Sequence, residues 1–385
     1  MGPLCSAQTF NANVELEQRL FWQQATQENL SEGQTSLRLE AEYFRDWNQG
    51  DEQLIIEPFV RLDSVDDQRS HLDLRQFIWS KLNDNSEFSI GVGQVFWGVT
   101  ESQHLVDIIN QTDSVENIDG EDKLGQPMVR YSYFNDYGTF DAFLLPYFRA
   151  RTFAGEDGRL NGGILVDNHN EVYQSSSQET HLDFALRYAK TVGDLGIGLS
   201  WFSGTSREPD LFRFFNLTDM STTPYYALID QFGLDLQLTT DAWLFKLEAI
   251  QRNHNDSLSS DFAAATIGAE YSFVGVLGSA YDLGALAEYS WDERRENASS
   301  LFQNDLFVGA RLALNDMNDS ELLFGVAQDL DVSSSRSIFI EAGTRINSKF
   351  SVNIELRYFE SNEPNDLLFR FRNDSFIQIG LEYYL

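Results

Sequence analysis

Along Phe350-Ser351-Val352-Asn353-Ile354-Glu355-Leu356-Arg357-Tyr358, apolar and polar side chains alternate at every step. This is the period of a β-strand with one apolar face. Leu37, Leu39, Ala41 and Tyr43 alternate with Arg38, Glu40 and Glu42, and Trp243, Phe245, Leu247 and Ala249 alternate with Leu244, Lys246 and Glu248. Segments of this kind number about eighteen, each close to the length that a tilted strand needs to cross a bilayer. Alternation suits a soluble sandwich as well as a barrel, because either sheet can be apolar on one face only. The connections separate the two.

Connections after odd-numbered segments are long, at 25–34, 63–70, 100–124, 154–177 and 203–222, and the later ones at 252–260, 293–301, 332–336 and 360–367 keep the parity. Those after even-numbered segments are short, among them Asn48-Gln49-Gly50-Asp51, Asn83-Asp84-Asn85-Ser86, Asn135-Asp136-Tyr137-Gly138, Val192-Gly193-Asp194, Thr240-Asp241 and Asn347-Ser348-Lys349. Strict alternation of this kind marks outer-membrane barrels, whose periplasmic turns are tight and whose external loops are long. The pattern predicts an all-β fold, a transmembrane antiparallel β-barrel of about 18 strands with both termini in the periplasm. Gly91, Gly93, Gly196, Gly198, Gly233, Gly268, Gly284, Gly309, Gly343 and Gly380 fall on the inward set, where a curved wall has use for a missing side chain. Trp47, Trp97, Trp243, Trp291 and Tyr383 are expected in interfacial girdles. Ile377, Ile379, Leu381, Tyr383 and Leu385 form an outward row running to the end, like a C-terminal assembly signal with Leu in place of the usual Phe.

Composition narrows the alternatives. The chain of 385 residues is 42% hydrophobic and 14% aromatic, with no apolar run of the roughly 18 residues that a membrane helix requires. No Pro- or Ser-rich linker divides it, so residues 8–385 read as one barrel, and 1–7 as a signal-peptide remnant or disordered start, with Leu4-Cys5-Ser6-Ala7 as the small-residue end of an export signal. Cys5 is the sole cysteine, which excludes an internal disulfide and a thiolate metal site. A net charge of −33, from 60 acidic and 27 basic residues, argues against nucleic acid as a partner.

Gly93-Gln94-Val95-Phe96-Trp97-Gly98-Val99-Thr100-Glu101-Ser102 is followed by His104-Leu105-Val106-Asp107-Ile108-Ile109-Asn110-Gln111 and by Lys123-Leu124-Gly125-Gln126-Pro127-Met128. Together with Leu145-Pro146-Tyr147-Phe148-Arg149 and Gly204-Thr205-Ser206-Arg207-Glu208-Pro209, this stretch resembles uncharacterised porin-like outer-membrane proteins of Gram-negative bacteria, from about Phe88 to Pro209. The resemblance implies a barrel and carries no substrate.

A wall of about 18 strands encloses an aqueous lumen. The inward set includes Arg75, Arg130, Arg149, Arg187, Lys246, Arg311 and Arg345, facing Glu248, Glu270, Glu288 and Glu341, the expected lining of a mixed-charge pore. The loop 100–124 is the candidate constriction. Thr100 would cap a short helix through Asn110 whose apolar side docks on the wall, and His104, Asp107, Asp113, Glu116, Asp119, Glu121 and Asp122 would supply polar groups, the later five an acidic rim. The competing reading is a solvated external loop. These residues imply no cofactor and no metal site. Expected partners are outer-membrane lipid and lipopolysaccharide, small polar solutes or ions, and a second copy in a homo-oligomer. The sequence thus reads as a passive channel rather than an enzyme. The alternatives are an assembly barrel that docks a partner, which would be silent in bilayers, and a rim-active hydrolase that would need His104 or His254.

Overall fold

The computed structural model describes residues 7–27 and 30–385. The wall opens with β1 (Gln8–Phe21), β2 (Gly33–Trp47), β3 (Glu52–Asp63), β4 (His71–Asn83), β5 (Ser86–Gly93) and β6 (Gln126–Asn135). It continues with β7 (Gly138–Leu145), β8 (Asp183–Val192), β9 (Leu195–Thr205), β10 (Leu228–Thr240), β11 (Trp243–His254) and β12 (Phe262–Phe273). β13 (Asp282–Asp292), β14 (Asn304–Ala313), β15 (Glu321–Asp329), β16 (Arg336–Asn347), β17 (Phe350–Glu360) and β18 (Phe376–Tyr384) complete it. Each strand pairs antiparallel with the next, and β18 returns to β1 with Leu16 opposite Leu381 and Gln18 opposite Ile379. The 18-stranded sheet is closed. Closure leaves no row of unpaired backbone groups, the one condition under which strands can span hydrocarbon.

Burial is inverted relative to a water-soluble protein. On β1, Glu15, Glu17 and Arg19 are buried while Leu16 is 52% exposed; on β11, Glu248 is 0% exposed and Phe245 41%. The apolar rows therefore face outward to lipid, as the alternation predicts. The inner wall is crowded enough to need its glycines: a Cβ at Gly198 would fall 2.1 Å from the Asp235 carboxylate, and one at Gly380 2.0 Å from that of Glu15. Pro58, which has no N–H to donate, coincides with a register shift between β3 and β4.

Connection parity holds from β1 through β12 and fails at two later inner connections. Outer connections span 22–32, 64–70, 94–125, 146–182, 206–227, 255–261, 293–303, 330–335 and 361–375. Six inner ones are tight, whereas 274–281 and 314–320 are longer than the turns expected there. The outer loops also bind one another. Leu165–Val166 pairs parallel with Ser221–Thr222, and Val172–Tyr173 with Tyr225–Tyr226. The buried Arg159 donates to Asp374 Oδ1 at 2.9 Å and to the Gln23 carbonyl at 3.0 Å, tying three loops together.

Two expectations need correction. Trp97 is not in a girdle: it is 4% exposed inside the barrel, edge-on to Phe143 at 5.7 Å, with Arg187 over its ring. Its position after a strand end looked interfacial, but the chain there turns inward. Arg149 is not on a strand either, because β7 ends at Leu145 before Pro146. The expected leader remnant lies outside the described residues except for Ala7, whose carbonyl accepts from the Asp46 N–H at 3.0 Å.

This topology predicts which loops meet the outside. In a background carrying Cys5→Ser, Asp157→Cys and Asn216→Cys should react with an impermeant thiol reagent on intact cells, and Asp84→Cys and Ser348→Cys should react only after permeabilisation. The opposite labelling would invert the barrel.

Candidate functional site

Residues 94–125 leave β5 and fold into the lumen. Val106, Ile108, Ile109 and Trp97, with Val95 and Leu105 beside them, pack on Met128, Phe143, Leu145, Ala185, Phe202, Ile229, Ile250, Phe262 and Ala264. All nine partners are inward residues of β6 to β12. A stretch of inner wall is thus apolar because the loop covers it, and each aliphatic side chain buried this way contributes roughly 1.5–3 kcal/mol. Gly233 makes room for the contact, since a Cβ there would lie 3.1 Å from Val106.

Two wall carboxylates fasten the near end. Glu248 accepts from the N–H groups of Val99 at 2.7 Å, Thr100 at 3.0 Å and Val106 at 3.1 Å, and its Oε1 lies 2.7 Å from Thr100 Oγ1. Glu288 accepts from the Glu101 and Ser102 N–H groups at 2.9 and 2.8 Å and from Ser102 Oγ at 2.7 Å. The helix expected from Thr100 to Asn110 is absent. The Val99, Thr100, Glu101 and Ser102 N–H groups, which a helix capped by Thr100 would leave without intrahelical partners, go to Glu248 and Glu288, and Glu248 also takes the Val106 N–H that such a helix would pair internally. Lys246 closes this end on Glu101 at 2.7 Å, with Glu270 at 3.6 Å and Arg311 3.5 Å from the other Glu101 oxygen.

The far end is held by charge. Arg61 Nε reaches both Glu116 oxygens at 2.9 and 2.8 Å, and its Nη1 reaches Glu17 at 3.1 Å. Arg69 binds Glu17 at 2.7 Å and Asp63 at 3.1 Å, and donates to the Val115 and Glu116 carbonyls. Asp113 accepts from Arg75 at 2.7 Å, lies 3.1 Å from His71 Nε2, and is 0% exposed. Asp107 faces Lys123 at 3.3 Å, and His104 faces Glu121 at 3.1 Å. Asp119 and Asn117 cross to β17, meeting Arg357 at 2.8 Å and Glu355 at 2.9 Å. The segment therefore spans the lumen from β11 and β13 to β3, β4 and β17.

These contacts revise the acidic rim. Asp113 and Glu116 are buried ion-pair partners, and Asp119 is taken by Arg357, which leaves Glu121 and Asp122 facing open space. Elsewhere on the wall, Arg130 is matched by Asp141, Arg187 by Asp235 and Glu341 by Arg357. Arg149, past its strand, holds Asp73 at 2.7 Å. Arg345 is half exposed beside Asp319 of an inner turn, at the rim rather than in the lumen. The chief clamps missed in the sequence are Glu17 and Arg69; Arg69 lies in the loop 64–70, where alternation assigns no facing direction.

Two cavities border the loop. One of about 720 Å³ is lined by Glu40, Glu42, Glu57, Glu121 and Asp122 against only Arg75 and Lys123, both already engaged. The other, of about 550 Å³, sets Arg38, Arg61 and Arg69 opposite Glu321, Glu341 and Glu355. Asp122 lines both. Burial, reinforced by Glu116 and Asp119, pushes its carboxyl up to about 7.

No family model matches the chain, and no curated protein does. Among solved structures, OccK3 (OpdO) of Pseudomonas aeruginosa superposes with a TM-score of 0.55 at 10% identity, covering 98% of this chain and 95% of that one. OpdQ of the same organism gives 0.54 at 12%, covering 99% and 97%. OmpT, an outer membrane protein of Vibrio cholerae in its trimer form, gives 0.46 at 13%, covering 99% and 100%. The chain has the closed antiparallel fold of outer-membrane β-barrel proteins.

Proposed function

We propose that this chain is an outer-membrane porin-like channel for small polar solutes and ions, narrowed by residues 100–124 and favouring cations. The observation that carries the reading is the loop itself: an apolar side docked on the wall, and a polar side bearing Glu121 and Asp122 beside two lumen cavities. A barrel that serves only as scaffold has no need of such an insertion. The likeness to OccK3 and OpdQ agrees with a channel at the level of fold.

The cation preference follows from what remains after pairing. The guanidinium groups of Arg61, Arg69, Arg75 and Arg357 are matched by Glu17, Glu116, Asp113 and Asp119, and the cavity beside Glu121 and Asp122 is lined by five carboxylates against Arg75 and Lys123, both already engaged. Low-dielectric walls focus that excess on passing ions.

Three outcomes are expected in planar bilayers. Glu121→Gln with Asp122→Asn should move the reversal potential toward anions at low salt and barely at 1 M, where the screening length is about 3 Å; a solvated outer loop would leave it unchanged. Lowering pH through about 7 protonates Asp122, whose raised carboxyl is charged above that value and neutral below, so cation preference should fall there in the parent and not in Asp122→Asn. Glu248→Ala strands three buried N–H groups, at about 1–3 kcal/mol each, and should give larger, noisier conductance. Quiet parental currents from that variant would refute the fastening role.

A further inference from the structure

At the outer-loop end of the barrel a cavity of about 700 Å³ lies between loops 64–70 and 146–182, with Leu124 of the inserted loop and His71 of β4 on its lining. Its size falls within the roughly 300–1,000 Å³ of small-molecule sites. One wall is aromatic. Tyr173 stands on the short parallel bridge that Val172–Tyr173 makes with Tyr225–Tyr226, stacked on the buried Tyr226 at 5.6 Å and edge-on to the buried Phe148 at 5.8 Å. Tyr147, which also lines the cavity, is 45% exposed. One ring is thus fixed by its neighbours, and the other is open to whatever enters.

The charges here are mixed, unlike those of the acidic cavity below the loop. Arg149 is spent on Asp73 and on the Gly125 carbonyl, each at 2.7 Å, and His71 faces Asp113 at 3.1 Å. Arg151 gives Nε to Gln111 Oε1 at 3.3 Å and Nη2 to the Arg207 carbonyl at 2.9 Å. Glu171 and Glu179 line the same space, and among the described residues neither has a basic partner or belongs to a cluster that could hold a metal ion. The amides on the lining are held at one end only. Asn170 Nδ2 donates to Asp167 at 2.8 Å and Gln68 Oε1 accepts from Asn168 at 3.4 Å, while Asn170 Oδ1 and Gln68 Nε2 have no partner among the described residues.

We propose that this cavity binds neutral saccharides, with Tyr147 and Tyr173 against the face of the sugar ring and Gln68, Asn170, Glu171 and Glu179 on its hydroxyls. A sugar ring presents an apolar C–H face and a rim of hydroxyls, each able to donate one hydrogen bond and accept two. The phenol rings answer the face, and a set containing both open donors and open acceptors answers the rim. Other solutes match half of the lining. An inorganic ion has no use for the aromatic wall, and an apolar solute would bury the amides and carboxylates unpaired. An organic cation meets Arg151, and an anion meets Glu171 and Glu179. Leu124 and His71 lie on the lumen side of the wall, so the cavity belongs to the pore mouth and its sugar is a free solute. That the sugar is then conducted rests on the channel reading; that it binds does not.

Calorimetric titration of the barrel, solubilised in a detergent without a sugar headgroup, with glucose and maltose tests the assignment, and mannitol supplies hydroxyls without a ring face. The readout needs no conducting lumen, so its failure leaves the channel reading standing, and a silent bilayer leaves this one standing. Both sugars should bind more tightly than mannitol. Glu171→Ala removes a charge-assisted hydrogen bond and should weaken maltose at least about tenfold; Tyr147→Ala, at an exposed position outside the barrel wall, should weaken it as well. Absence of heat from both sugars, equal affinity for mannitol, or parental affinity in both folded variants would each overturn the proposal. So would tighter binding of the core oligosaccharide released from lipopolysaccharide, which would assign the same chemistry to the membrane surface instead of to a solute.

Discussion

A closed β-wall must turn one row of side chains toward lipid and the other toward its own interior, and the interior row here is charged. That constraint governs the rest of the molecule. Charges moved away from bulk water need partners, because removing one member of a buried pair costs about 3–5 kcal/mol. Much of the pairing is supplied by a single inserted segment, residues 94–125, which carries Asp113, Glu116 and Asp119 to Arg75, Arg61 and Arg357 of the wall. The wall in turn supplies Glu248 and Glu288 to the segment's backbone. Neither the loop nor the inner wall is electrostatically complete alone.

The same arithmetic of partners locates the chemistry. Where guanidinium and carboxylate are matched, the wall is held together and offers little to a solute. Matching stops at the carboxylates Glu42, Glu57 and Asp122, which line the cavity below the loop.

The fold was legible in the sequence because two of its determinants are local. A period of two marks the lipid-facing rows, and the parity of connection lengths marks closure; the first survives from β1 to β18 and the second through β12, with strand ends shifted by a few residues. The loop's entry into the lumen was half legible, through Leu105, Ile108 and Ile109 on one side of an otherwise polar stretch. Its conformation was not. Glu248 and Glu288, which bind its backbone N–H groups, lie far along the chain from Thr100 and leave no local signal. Asp113 and Glu116 looked like rim charges for the same reason: alternation shows that Arg61 and Arg75 face inward, not which acid each one meets. Arg69, Arg151 and Arg207 sit in connections, where no periodicity assigns a direction.

The inserted segment crosses the lumen to β17. The direct measurement is crosslinking of Asn117→Cys with Glu355→Cys, in the Cys5→Ser background, by a short thiol-to-thiol reagent, because the native side chains there meet at 2.9 Å. A crosslink in the folded barrel, read by protease mapping and lost on heat unfolding, is the predicted result. Two cysteines that each react with a monofunctional reagent yet never join would place the loop outside the lumen and contradict the account.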